Sequence, residues 1–178
     1  MNLMRVILLI SCVAWLAGNI LMIVLAPVLF SHAPNSTTGG GHDFSSHFAA
    51  GAVFGDCLQV WSMGITYSLL PATLFCGVVL AAARLFGGRT PSAVLWIIAL
   101  VAIALLHLWS EDLIMTLNHL LANLLSGKAG GEHWSDFNDL HRESRAAVTA
   151  ESAMALVLIL AVSYSLIRGP QASPKTNE

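Results

Sequence analysis

The chain has 178 residues, of which 56% are hydrophobic and only 10% charged, with a formal net charge of −2. A soluble domain carries about 25% charged residues, so this composition excludes an ordinary soluble protein and points to the membrane. No basic run suited to nucleic acid is present, and Gly39-Gly40-Gly41 lacks the lysine of a phosphate-cradling loop, so nucleic acid is not an expected partner.

Four segments are long and apolar enough for a span of about 20 residues. The first covers residues 6–30, too long for the roughly 7–15-residue core of a signal peptide. A flexible loop around Pro34, Asn35-Ser36-Thr37-Thr38 and the three glycines follows. The second helix starts with Ser45 or Ser46 as cap and ends at Phe86, before Gly87-Gly88. Thr90 as N-cap and Pro91 in the first turn open the third, which runs to Leu125. A glycine-containing break over 126–131 precedes the fourth, Ser135 to Ile167. The predicted fold is an all-α, four-helix transmembrane bundle forming one domain over 1–170, with residues 171–178 a disordered tail. Cys12, Cys57 and Cys76 form no CxxC and imply neither a disulfide framework nor a thiolate metal site.

Charge sets the expected orientation. With four spans, Arg5, Arg84, Arg89, Arg168 and Lys175 share one side, against Lys128, Arg142 and Arg145 on the other. Lysine and arginine favour the cytoplasm, so both termini are predicted there, as in a multi-pass protein of a bacterial cytoplasmic membrane. All seven histidines and every acidic residue except Glu178 then lie toward the outer half. His32, His42 and His133 sit among loop residues and are expected to be solvated.

Counting about 20 residues outward from the inner ends puts the outer boundary near Gly64, Glu111 and Val148. Helices two to four should therefore extend beyond the outer membrane surface by roughly three to four turns. The overrun of the third is amphipathic: Leu113, Leu117, Leu120, Leu121 and Leu124 on one side, Asp112, Thr116, His119 and Asn123 on the other. It lacks the basic face of a helix lying flat on lipid, which favours projection as a bundle.

Ionisable groups near that boundary are the candidate site. His107 and Glu111 stand four apart, the spacing at which two ligands share a metal. With His141, joined by His47 or Asp56, they would make an imidazole–carboxylate set for a divalent metal such as zinc, copper or iron, or His107 and His141 would ligate haem. The plainer expectation is that His107 is an interhelical packing residue and Glu111-Asp112 marks the water boundary, because no HExxH or ExxH completes the set. Glu151 lies about a turn inside the boundary, where a carboxylate must be protonated, paired or facing a wet cavity. Arg145, six residues earlier, is awkwardly placed to pair with it on one helix.

On the fourth helix, Phe137, Leu140, His141, Ser144, Val148, Glu151 and Ala155 fall on one side, which should face protein. His141 and Ser144 are three apart with no third group to orient them, a poor arrangement for a nucleophile, so an enzyme is not expected. Trp134, Phe137, Leu140, His141 and Ser144 form W-x-x-F-x-x-L-H-x-x-S. This resembles the last-helix motif of the transmembrane protein 205-like family, also called the domain of unknown function 4149 family. Trp15, Gly18, Ala26-Pro27 and Phe30 are similar to that family's first helix. The resemblance implies a four-helix membrane fold and makes His141, Ser144 and Glu151 the polar cluster to examine. Where the family motif continues to asparagine, this chain has Val148, unless Thr149 or Ser152 replaces it. The expected function is a non-enzymatic bundle that binds lipid, a protein partner or a second copy through its outer end, with metal or haem binding as the alternative.

Overall fold

The computed structural model describes residues 2–31, 44–88, 90–126 and 134–167. The elements are α1 (Asn2–Ser31), α2 (Phe44–Gly64), a π-helical turn (Ile65–Leu69), α3 (Leu70–Phe86), α4 (Thr90–Leu125) and α5 (Trp134–Ile167). Among the described residues every element is helical, and four helical rods are long and apolar enough to cross a membrane. The glycine-rich loop with Asn35-Ser36-Thr37, the break after α4 beyond Ser126 and the tail 171–178 lie outside the described residues, as do His32, His42 and His133.

The second rod is α2, the π turn and α3 in series. Pro71 offers no N–H to the preceding turn and its ring crowds the carbonyl four residues back. The turn before it widens, and the Leu70 amide bonds the Ile65 carbonyl, five residues back. Buried positions register the extra residue: Ser62 and Ile65, then Leu70, Thr73, Cys76 and Leu80. Gly88 turns the chain from α3 to α4 at φ 72°, in the left-handed region that favours glycine. The Gly87 and Gly88 amides cap the Ala83 and Leu85 carbonyls at 3.2 and 3.0 Å.

α1 packs on α5 and α3, and α4 packs on the same two, so the rods close a ring. Its centre holds Leu8, Cys12, Trp15, Leu80, Ile103, Leu158 and Val162. The outer surface is also apolar, with Ile10, Val13, Val78, Val101, Leu105 and Leu160 exposed. Side chains of this kind on both surfaces call for lipid as the surrounding medium. At one end Arg5 donates to the Ser165 carbonyl at 3.2 Å, and the Arg84 guanidinium lies 4.5 Å from the Trp96 ring centroid. The start of α1 and the end of α5 therefore lie together at a basic end.

Toward the other end the surface changes. No large hydrophobic side chain is exposed between Ser135 and Ala155 of α5, whereas Leu156, Val157 and Leu160 are. α4 continues well past Glu111, with Leu113, Ile114, Leu117 and Leu121 buried and Asp112, Thr116 and His119 exposed. Asn118 ties this segment to α2, donating to the Gly55 carbonyl at 3.0 Å and to Gln59 Oε1 at 3.4 Å.

Candidate functional site

Glu151 and His107 are 2% and 1% exposed and face each other across the α4–α5 seam, with Glu151 Oε1 3.1 Å from His107 Nδ1. The same carboxylate oxygen accepts a hydrogen bond from the Trp15 indole N–H of α1. The Trp15 and His107 rings meet edge to face, centroids 5.2 Å apart at 80°, which fixes the plane of the imidazole. On its far side, His107 Nε2 is 2.9 Å from Thr66 Oγ1 in the π turn. Thr66 Oγ1 is in turn 3.0 Å from Glu111 Oε2 and 3.1 Å from the Ser62 carbonyl. Trp15, Glu151, His107, Thr66 and Glu111 thus make one hydrogen-bonded chain across all four rods.

Burial of a carboxyl and an imidazole in apolar surroundings is costly unless they are hydrogen-bonded, and here both ring nitrogens of His107 and the Oε1 of Glu151 have partners. Thr66 lies in the widened turn before Pro71 and meets α4 there. A second relay runs beside the first: the Trp61 indole donates to Asn19 Oδ1 at 2.9 Å, and Asn19 Nδ2 donates to Ser152 Oγ at 3.1 Å. The Ser152 hydroxyl donates in turn to the Val148 carbonyl at 2.7 Å. Of the two candidate replacements for the polar group absent at Val148, Ser152 reaches another helix, whereas Thr149 bonds the Arg145 carbonyl of its own helix at 2.7 Å.

A cavity of about 590 Å³ opens between α1, α2, α4 and α5. Met22, Phe54, Leu58, Ile114, Leu117 and Leu121 supply apolar walls, and Ser62, His107, Ser110 and Glu151 also line it. The lining residues that are exposed include Ile23 and Pro27 of α1 and His141, Arg145 and Thr149 of α5, so its mouth lies between those two helices. The Ser62 hydroxyl is buried without a hydrogen-bond partner among the described residues.

Among the sequence candidates, His107, Glu111 and Glu151 are brought together, with Thr66 between the first two. His141 is a correction. The helical wheel places it against protein, but it is exposed and stacks on Phe137 one turn back, centroids 6.1 Å apart and 7° from parallel. At its level α5 borders the cavity mouth. Ser144 is buried as expected, yet its hydroxyl donates to the His141 carbonyl of its own helix at 3.0 Å. Asp56 is exposed, and the His47 side chain lies outside the described set.

Among the described residues no three His, Cys, Asp or Glu side chains converge to hold a metal. Both ring nitrogens of His107 are engaged, so a metal or haem iron would have to displace Glu151 or Thr66. Trp15, Asn19, Trp61 and Thr66 escaped the sequence reading as polar partners. The visible signal was Ser11, Trp15 and Asn19 four apart along an otherwise apolar span. No family model, curated protein or solved structure matches this chain.

Proposed function

We propose that this multi-pass membrane protein is a non-enzymatic amphiphile-binding bundle that holds a lipid chain in the cavity at its acidic, histidine-rich end. The observation that carries the reading is the cavity itself. Its volume falls within the range of about 300–1,000 Å³ usual for small-molecule sites, and its walls are apolar. Its mouth between α1 and α5 carries Arg145 and His141, which suit an anionic headgroup while the chain lies against Leu58, Ile114 and Leu117.

The arginines at the opposite end favour the cytoplasm, so the cavity faces the outer side, between the segments of α2, α4 and α5 that project past the boundary counted near Gly64, Glu111 and Val148. The α5 motif and the first-helix residues support membership of the transmembrane protein 205-like family. Native mass spectrometry of the detergent-purified protein tests the reading. Lipid adducts should survive delipidation in the wild type and be lost in Leu117→Trp, which fills the cavity. Equal adducts in both, or none in either, would count against it.

A further inference from the structure

We infer that Glu111, Thr66, His107 and Glu151 form a proton path that loads Glu151 on the cavity wall from the partly exposed Glu111. The function proposed above makes no use of these groups, and a structural role would need only pairing. What sets them apart is order. Each consecutive pair is within hydrogen-bond distance, at 3.0, 2.9 and 3.1 Å, and each inner member can both receive and release a proton. One end is accessible: Glu111 is partly exposed and lies beside the exposed Asp112. The other is not, because Glu151 is 2% exposed and faces the cavity.

The transfer balances within the chain. Glu111, when protonated, gives its proton to Thr66 Oγ1 as Thr66 gives its own to His107 Nε2. The imidazole releases its Nδ1 proton to Glu151 Oε1, and its π electrons shift so that the ring stays neutral. Glu111 ends as a carboxylate, Glu151 as an acid, and His107 in the other tautomer; the reverse pass restores the start. Trp15 donates to Glu151 Oε1 in both states and so keeps that oxygen in place. The single Thr66 hydrogen is the break point, since turned to the Ser62 carbonyl it leaves Nε2 without a donor.

Among the described residues, Trp15 of α1, Thr66 of the π turn and Glu151 of α5 meet His107, and Glu111 of α4 meets Thr66. The remaining titratable groups on the cavity wall are His141 and Arg145, both at its mouth. Interior chains of acid and imidazole are a known use of ionisable groups in membrane proteins.

Time-resolved infrared spectroscopy after a pH jump, on the full chain in phosphatidylcholine–phosphatidylglycerol nanodiscs, tests the path without any added ligand. The expected result is a carboxylic acid carbonyl band that grows after acidification and disappears in Glu151→Gln. Its rate should fall about tenfold or more in Thr66→Val, equivalent to a barrier about 1.4 kcal/mol higher, and recover in Thr66→Ser. Should Thr66→Val not fold, Glu111→Gln removes the entry acid and should slow the same band. A band that persists in Glu151→Gln, fails to respond to pH, or keeps its rate in the folded Thr66→Val or Glu111→Gln protein would overturn the inference. Lipid retention plays no part in this readout, so loss of the lipid reading and loss of the proton path are separate outcomes.

Discussion

Glu151 Oε1 sits 3.1 Å from His107 Nδ1 at the centre of the bundle, and both side chains are almost wholly enclosed. Removing one member strands the other. Breaking a buried pair typically costs about 3–5 kcal/mol, so His107→Ala and Glu151→Ala should each destabilise the protein strongly. Glu151→Gln, whose amide oxygen can still accept from Trp15, should cost less. Chemical unfolding in mixed micelles, extended to the double variant, should show the two losses failing to add.

Trp15→Phe keeps the ring beside His107 but removes the indole N–H that Glu151 accepts. The expected loss is about 1.5–3 kcal/mol, the range for a hydrogen bond to a charged group. The same unfolding assay checks it, and a change within error would mean that the carboxyl finds another donor.

Gly18 lies under the Trp61 indole, and a Cβ at this position would overlap its six-membered ring. Gly18→Ala should push the indole away from α1 and loosen its bond to Asn19. Overpacking of this kind costs about 1–3 kcal/mol. In the Gly18→Ala background both Trp61→Phe, whose shorter ring lacks the outer indole atoms that the new Cβ meets, and Trp61→Ala should relieve much of the clash, whereas Gly18→Ala alone should not recover. Thermal unfolding of the single and double variants separates these outcomes.

The three cysteines offer a test of orientation. Cys57 is partly exposed on α2, two turns beyond the boundary counted near Gly64, while Cys12 and Cys76 are buried. A membrane-impermeant maleimide added outside intact cells should label Cys57 alone, and Cys57→Ser should abolish labelling. Labelling only after the cytoplasmic face is opened would reverse the proposed topology.

Helix extents were legible because long apolar runs bounded by glycine and proline leave few alternatives. The Asp112–Asn123 face was legible for a similar reason, since Leu113, Leu117 and Leu121 repeat every four residues and all become buried. His107, Glu111 and Glu151 stood out as costly groups in an apolar context, but their partners did not. Thr66 and Trp15 are unremarkable in a membrane helix, and only the folded ring brings them to residues 41 and 136 positions away in the chain. His141 shows the opposite failure. Its place on the wheel indicates direction, but not whether another helix stands there to meet it.

The widened turn at Ile65–Leu69 resets the angular phase of the second rod. An uninterrupted α-helix would keep one inward stripe throughout, whereas one additional residue rotates everything beyond it by about 100°. The segment bearing Gly55, Leu58 and Ser62 therefore keeps its own azimuth toward the cavity, while Thr73, Cys76 and Leu80 aim at the ring's centre. Deleting a single residue there would leave the apolar length nearly unchanged and yet swing one half out of alignment with the other.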